Sequence, residues 1–376
     1  MAVLYTTTVI YPSVLVGAYA VRLQHDLGFG TAELGIVISV RFVASTLSSA
    51  LGGPFIDRVG ASTGLRIATF VSAGSSVGIA LLVHSWPGLA LGLAGSGLGA
   101  ALCQLSANRL LVLRTADHRL GVGFGIKQAA VPSAALLAGF TVAALGMGMS
   151  WRTTYLAAAL VAMTLSALAP RAKTRMSARP RPEKITDAER APLLRLAFAG
   201  ASAGAAGNSL ALLAVDAFEE GGFSETSAAL ILAVGSGAAL GVRVLAGWVV
   251  DRRQASGHPQ LVILLAAGTI GFLVLATASN RVLMVAGGMV AFAAGWGWNG
   301  LLYFAATRSA GTRPATATGL VMSGVGAGTI FGPLLIAFIA DHAGYGMAWG
   351  TAAGLIAAGT VMARVAGVRF RAASEA

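Results

Sequence analysis

Two basic side chains stand within long apolar stretches of the sequence, and they predict a site for an anion. Arg41 falls near the middle of one stretch, with Ser45 and Ser48 following at helical spacing, and Lys127 falls inside another. A cation deep in a membrane costs at least about 2.5 kcal/mol, so it must face the protein interior or a wet cavity. Attraction of an anionic substrate is one interpretation. The alternatives are a structural hydrogen bond for Arg41 and a side chain reaching the membrane surface for Lys127.

Neutral polar and aromatic side chains on other apolar stretches complete a candidate substrate site. Trp296, Asn299 and Tyr303 are spaced i, i+3, i+7, which places an aromatic wall and an amide on one helix face. Packing between helices explains any one such residue, but a set from several helices suits a small polar or planar ligand. The other members of the set are Tyr11, Gln104, Asn108 and Asn208.

The sequence offers few groups for other chemistry. Proton coupling needs an ionisable group in the transport path, and the candidates are Asp216 and Glu33, near the outer ends of their stretches. No Gly-rich Lys-Ser/Thr phosphate loop, nucleophile elbow or metal-ligand cluster occurs in the sequence. We therefore expect neither an enzyme nor an ATP-driven pump, and no cofactor or metal. The single cysteine, Cys103, excludes a disulfide framework.

The composition is that of a membrane protein. Of the 376 residues, 56% are hydrophobic and only 11% are charged, and the mean hydropathy is +0.78. The net charge of +12 could indicate binding to nucleic acid. The basic residues, however, are confined to short loops between apolar stretches, which a bilayer explains better. The expected partners are the lipid bilayer and a small-molecule substrate, with no nucleic acid.

Twelve stretches are long enough to cross the hydrocarbon core of a bilayer, which takes roughly 20 apolar residues per helix. The predicted fold is therefore an all-α membrane protein of twelve transmembrane helices. The predicted spans are 2–22, 31–54, 63–84, 87–112, 120–145, 151–170, 193–216, 224–248, 258–279, 281–307, 315–341 and 346–366.

Basic residues differ in density between successive loops, and this difference predicts the orientation. Most of the Lys and Arg residues follow spans 2, 4, 6, 8 and 10, whereas the opposite loops carry mainly acidic residues. The positive-inside rule then places both termini in the cytoplasm. We expect a multi-pass protein of the cell (inner) membrane.

The two halves of the chain repeat each other at an offset of 194 residues. The stretch 53–58 at the end of span 2 matches 247–252 at the end of span 8. Each half holds six spans, so the two repeats share one orientation and are parallel. We predict an N-terminal six-helix bundle at 1–170, a cytoplasmic linker rich in Arg and Pro at 171–192, and a C-terminal six-helix bundle at 193–376.

The motif Gly53-x-x-x-Asp57-Arg58-x-Gly60, followed by Arg66, resembles the signature of the major facilitator superfamily. Its weaker copy, Gly247-x-x-x-Asp251-Arg252, lies in the matching loop of the second half. The resemblance covers essentially the whole chain and implies a secondary transporter. Within the superfamily, 123–132 and 295–300 are similar to segments of the cyanate-permease-like branch.

The resemblance also implies a gating role for charged residues at these helix ends. In this family such residues form ion pairs and helix-end contacts that hold one face shut and are released as the halves rock. Plain anchoring at the membrane surface is the alternative, but acidic residues contribute little to topology. The expected gating residues are Asp57, Arg58, Arg66, Asp251, Arg252 and Arg243.

The expected function is secondary active or facilitative transport of a small anionic solute by alternating access. We expect a monomer, with protons as the candidate coupling ion. Two alternatives use the same fold. An apolar, aromatic cavity would favour efflux of drugs or metabolites, and ligand binding without flux would favour a membrane sensor. The predicted fifth span lacks the Gly-Pro-rich signature of proton-coupled drug exporters, which disfavours efflux.

Overall fold

The computed structural model describes residues 2–114, 120–145, 150–168, 187–253, 255–309 and 314–375. Within these ranges every regular element is a helix and no strand is present. The helices are α1 (Ala2–Ala18), α2 (Ala20–Leu27), α3 (Thr31–Val59), α4 (Ala61–Leu82), α5 (Trp86–Arg114), α6 (Leu120–Gln128), α7 (Ala130–Leu145), α8 (Trp151–Leu168), α9 (Asp187–Glu220), α10 (Glu225–Arg252), α11 (His258–Ala276), α12 (Arg281–Val290), a π-helical turn at Ala291–Gly295, α13 (Asn299–Ser309) and α14 (Pro314–Glu375).

These helices confirm the predicted all-α membrane fold. Nine helices in the described ranges are long and apolar enough to cross a membrane, and ten if α1 and α2, which meet at a 69° bend, form one span. α14 is two rods, because the backbone breaks at Gly344 (φ 79°, ψ 166°). α8 is a further apolar helix of 18 residues. Together these elements account for the twelve predicted spans.

Several predicted spans are interrupted, which hydrophobic periodicity does not reveal. Predicted span 5 consists of α6 and α7, separated at Ala129. Pro132 lies just beyond this break and has no N–H to donate to the carbonyl of Gln128. Predicted span 10 consists of α12, the π-helical turn and α13. Such π turns often mark functional positions.

Contacts divide the chain into two compact units. The first comprises Met1–Thr115, Ala130–Ala178 and Ala211–Ala233, and the second comprises Ala116–Ala129, Arg179–Leu210 and Val234–Ala376. These units do not follow the repeat, because α6 belongs to the second unit while parts of α9 and α10 belong to the first. The two predicted bundles at 1–170 and 193–376 stay a prediction. Most of the predicted linker at 171–192 lies outside the described residues.

In the first unit, glycines let helix backbones approach closely. A Cβ added at Gly97 of α5 would lie 2.3 Å from the backbone oxygen of Arg41 on α3, and one at Gly17 of α1 would lie 2.7 Å from that of Ala211 on α9. Helices in lipid associate largely through such close packing, because lipid tails are as apolar as the side chains. The α5 backbone therefore fixes the position of α3 at Arg41.

The second unit contains a line of small residues between α9 and α14, which we call the α9–α14 seam. A Cβ added at Gly328 would lie 1.9 Å from the backbone oxygen of Ala201. Gly328 and Gly332, spaced i, i+4 in predicted span 11, therefore serve close helix packing. The seam pairs Gly324, Gly328 and Gly332 with Ala197, Ala201 and Ala205.

Candidate functional site

Arg41 is buried on α3, with only 6% of its surface exposed. Its Nε donates to Ser13 Oγ of α1 at 2.9 Å, and that oxygen lies 3.1 Å from Ser96 Oγ of α5. The guanidinium carbon lies 4.7 Å from the centre of the Phe42 ring. In the described part of the chain, its two Nη atoms have no hydrogen-bond partner and no carboxylate lies within ion-pair distance. Within these ranges, Arg41 is thus a buried cation whose one hydrogen-bond partner is a neutral hydroxyl.

Sequence reasoning missed Ser13 and Ser96. Neither residue carries a sequence signal, since serines are common inside apolar helices and usually bond the backbone of their own helix. Only the close approach of α5 to α3 at Gly97 brings the two hydroxyls towards Arg41.

Lys127 lies at the break in predicted span 5. It is 9% exposed, on the last turn of α6, and its neighbour Gln128 is also buried. This burial disfavours the interpretation in which the ammonium reaches the membrane surface. The structure therefore keeps Lys127 as an interior cation.

Arg243 of α10 is 1% exposed and joins two helix breaks. Its Nη1 donates to the backbone oxygen of Gln128, and its Nη2 donates to that of Trp296 at 2.5 Å. The guanidinium carbon lies 5.3 Å from the centre of the Trp296 ring. Arg243 thus contacts Trp296, a residue predicted for the substrate, although the sequence predicted a gating role for Arg243.

The polar residues of the predicted substrate set have different surroundings. Asn208 Nδ2 donates to the Gly204 oxygen of its own helix at 2.8 Å. Asn299 Oδ1 and Gln104 Oε1 are buried, and neither atom has a hydrogen-bond partner in the ranges that the structure describes. An unpaired buried amide oxygen is costly, so both atoms could accept from a ligand. The side chain of Asn108 lies outside the described residues.

Tyr11 lines a groove of about 350 Å³. Its hydroxyl lies 2.7 Å from Thr141 Oγ1. Leu4, Leu137 and Val161, each about half exposed, form the rim of the groove. Such an apolar rim suits a lipid-facing groove better than an aqueous cavity, so Tyr11 has the weakest structural support in the set.

Asp251 binds the beginning of α6. Its Oδ2 accepts the backbone N–H of Val122 at 2.8 Å. The first N–H groups of a helix lack intrahelical partners and carry a partial positive charge, so a carboxylate there stabilises the helix end. Asp251 comes from the second half of the chain and α6 from the first.

The contacts of Arg66 and Arg252 stay within one half of the chain. Arg66 Nε donates to the Ser166 oxygen at 3.3 Å, and Ser166 Oγ donates back to the Arg66 oxygen at 2.9 Å. Arg58 and Arg252 are exposed. The Arg252 guanidinium lies 5.1 Å from the centre of the Trp248 ring on its own helix. The side chain of Asp57 lies outside the described residues.

An ion pair that sequence reasoning missed joins α2 to the beginning of α10. Arg22 Nε lies 2.6 Å from Glu225 Oε1, and Arg22 Nη2 donates to Glu225 Oε2 at 2.8 Å. The pair therefore combines one directed hydrogen bond with a second close contact between opposite charges. The available signal was opposite charge in two loops predicted on the same side of the membrane.

The two candidate proton carriers both accept hydrogen bonds. Asp216 Oδ2 accepts from Gln24 Nε2 at 3.3 Å and from Thr31 Oγ1 at 3.1 Å. Glu33 Oε2 accepts the Gly30 N–H at 2.9 Å and so caps the beginning of α3. Glu33 therefore has a structural task, and Asp216 lies in a polar network with residues of α2 and α3.

The long apolar helices define the class, a multi-pass membrane protein. Among the described residues, no group of three or more His, Cys, Asp or Glu could hold a metal ion. Residues 1–281 match the model of the Major Facilitator Superfamily, and the chain belongs to this family. No curated protein matches the chain.

Solved structures of transporters share the fold. A bacterial homolog of the human lysosomal transporter Spinster, inward-facing and occupied, has a TM-score of 0.71 at 15% identity, over 100% of this chain and 95% of that one. The proton:xylose symporter XylE has a TM-score of 0.72 at 14% identity, over 96% and 93%. A mutant of the nucleoside transporter NupG has a TM-score of 0.72 at 15% identity, over 98% and 100%. At these identities the likeness shows the fold alone.

Proposed function

We propose that this chain is a secondary transporter that moves a small anionic solute across the cell's inner membrane. The observation that carries the proposal is Arg41, a buried cation that has, among the described residues, one neutral hydrogen-bond partner and no carboxylate within ion-pair distance. An uncompensated buried charge costs several kcal/mol, and a bound anion would offset that cost. Family membership supports transport rather than catalysis.

Each compact unit contains candidate groups of its own. The first unit holds Arg41 and the Gln104 amide oxygen, which has no hydrogen-bond partner among the described residues. The second unit holds the buried cation Lys127, together with Asn299 and the aromatic residues of predicted span 10. A small organic or inorganic anion agrees with the resemblance of 123–132 and 295–300 to the cyanate-permease-like branch. The proposed substrate residues are Arg41, Lys127, Tyr11, Gln104, Asn108, Asn208, Trp296, Asn299 and Tyr303.

Alternating access is supported by contacts at the two ends of α10. Glu225 at its beginning binds Arg22, and Asp251 near its end binds α6. These positions are about 40 Å apart along the helix, enough to span a bilayer. With both termini cytoplasmic, we propose that the Arg22–Glu225 pair closes the outer face and the Asp251 contact closes the cytoplasmic face.

A monomer suffices for this mechanism, because both sets of contacts lie within one chain. Protons are the proposed coupling ion, with Asp216 as carrier, since Glu33 is engaged in capping α3. Facilitative transport without coupling is the simpler form of the same proposal.

The test is solute uptake by proteoliposomes. A thermal-shift screen against small carboxylates and cyanate-like anions first selects an anion that stabilises the wild-type protein. We expect Arg41→Gln to abolish saturable uptake of that anion and its stabilising effect, and Arg41→Lys to retain part of both. Arg364→Gln, an exposed arginine on α14, is the matched control and should leave uptake unchanged.

Undiminished anion uptake by Arg41→Gln protein would remove Arg41 from the site. If the screen finds stabilisation by lipophilic cations and none by anions, the anionic substrate class is wrong. An imposed pH gradient tests coupling in the same vesicles, because only a proton-coupled transporter responds with faster uptake.

A further inference from the structure

Two backbone carbonyls at helix breaks lose the donors that continuous helices would supply. In predicted span 5, the Gln128 oxygen would accept from residue 132, but Pro132 has no N–H. In predicted span 10, the first backbone bond at the beginning of α13 runs from the Leu302 N–H to the Trp298 oxygen. The Trp296 oxygen lies before that bond and accepts no backbone N–H among the described residues. Buried carbonyls without donors are costly.

Arg243 supplies both missing donors. Its Nη1 bonds the Gln128 oxygen and its Nη2 bonds the Trp296 oxygen, while 1% of the residue is exposed. The face of Trp296 covers the guanidinium. Nε has no hydrogen-bond partner among the described residues. The two Nη atoms therefore make the hydrogen bonds that link α10 to the Gln128 and Trp296 carbonyls.

Two glycines allow the neighbouring helices to pack closely around Arg243 and Trp296. A Cβ added at Gly125 of α6 would lie 2.7 Å from the backbone oxygen of Arg243, so only glycine lets α6 approach α10 this closely. On the other side, a Cβ at Gly207 of α9 would lie 2.6 Å from Trp296 Cδ1, which fixes the indole. Close packing of α6 against Arg243, and of α9 against Trp296, therefore encloses the Arg243 side chain.

We propose that the Gln128 and Trp296 carbonyls form a guanidinium site, which Arg243 fills as a ligand tethered to α10. Arg243 is then a positioning residue that fastens the breaks of predicted spans 5 and 10 to α10. A planar guanidinium with two donors fits two separate carbonyls, whereas the compact ammonium of lysine does not.

The consequence for transport rests on the proposed function. Gln128 belongs to the first half of the chain, whereas Arg243 and Trp296 belong to the second. When the proposed cytoplasmic face opens, Arg243 releases the Gln128 oxygen and keeps the Trp296 oxygen. Arg243 thus holds the closed face by a bond to backbone, without contacting the solute.

Chemical rescue tests the site. We expect Arg243→Ala to lower the unfolding temperature of the purified protein by about 5–10 °C, because two buried carbonyls lose their donors. Millimolar guanidinium should recover at least half of that loss, and urea, its neutral isostere, should recover none. Arg364→Ala, from an exposed arginine, should show neither the loss nor the rescue. Equal rescue by urea, or no loss in Arg243→Ala, overturns the proposal.

Two further variants keep the test decisive if Arg243→Ala does not fold. Arg243→Lys should fold with an intermediate unfolding temperature and no response to guanidinium. Pro132→Ala returns an N–H to the Gln128 oxygen, so the Arg243→Lys loss should be smaller in that background. An equal loss in both backgrounds excludes the Gln128 half of the site.

Transport gives the readout that separates positioning from substrate binding. In proteoliposomes, guanidinium should raise the maximal uptake rate of Arg243→Ala protein and leave the substrate KM unchanged. A change in KM alone would assign Arg243 to the substrate. The thermal measurements need no substrate, so they stand even if the anion proposal fails.

Discussion

The two ends of α10 bind the first half of the chain in different ways. At its beginning, Glu225 meets Arg22 through side chains that are 23% and 31% exposed. Near its end, Asp251 and Arg243 bind backbone groups of α6, and Arg243 is buried. An ion pair that is partly exposed to water contributes about 0–1 kcal/mol and weakens in salt. A buried backbone group that loses its partner costs about 1–3 kcal/mol.

This difference indicates that the proposed cytoplasmic face is the harder one to open. The ion pair can separate into water, where both charges are solvated. The backbone contacts separate only if water or solute replaces Arg243 at the Gln128 oxygen. We therefore expect changes at the α6 contact to have larger effects than changes at the ion pair.

The largest expected effect comes from Gly125→Leu. The new side chain would meet the backbone oxygen of Arg243, which cannot move aside as a flexible side chain could. We expect a loss of about 3 kcal/mol in stability, seen by thermal unfolding, together with lost uptake. Gly241→Leu, on the exposed face of α10 with nothing within 4 Å of an added Cβ, is the control and should be nearly neutral. Equal damage from both would mean that close approach at Gly125 does not matter.

Replacing Asp251 should have an intermediate effect. Asp251→Ala removes the acceptor for the Val122 N–H and the charge at the beginning of α6, at a cost of about 1 kcal/mol. Asp251→Asn keeps an acceptor and should cost less. Thermal unfolding of the two variants measures the difference. An Asn variant as unstable as the Ala variant would show that the charge, and not the hydrogen bond, carries the contact.

The smallest expected effect comes from Glu225→Gln. We expect a loss of no more than about 1 kcal/mol, because the pair is partly exposed. High salt should weaken the wild-type protein by a similar amount and leave the variant unaffected. The exchanged pair, Arg22→Glu with Glu225→Arg, should recover stability that either single reversal loses. A Glu225→Gln loss larger than that of Asp251→Ala would reverse the comparison between the two ends.

The fold could be predicted from the sequence because the bilayer constrains it strongly. Every backbone polar group must be bonded within the lipid, so apolar stretches of sufficient length become helices. The helix breaks in predicted spans 5 and 10 could not be predicted. Their helices, α6 with α7 and α12 with α13, lie in stretches whose composition predicts one continuous apolar span each. Pro132 was the one local clue, and a proline in a transmembrane helix is compatible with a kink as well as a break.

The candidate site could be predicted only in part. Burial of Arg41 and Lys127 followed from their place in apolar stretches, because a charge there must turn inward. Their hydrogen-bond partners could not be predicted in the same way. Contacts between helices that are distant in sequence depend on how each helix is rotated and on its position along the membrane normal. Ser13 reached Arg41, and Arg243 reached Gln128, through close approaches at glycines that show no pattern in the sequence.

The α9–α14 seam has a mechanical consequence. Its three glycines cover two helical turns, about 12 Å, in backbone contact with alanines. The seam contains no long side chains that could change rotamer to absorb a shift. We therefore expect a displacement of α9 along the seam to displace the first rod of α14 as well. In that case α9 and the first rod of α14 should move together, with the backbone break at Gly344 as the point where the second rod can move separately.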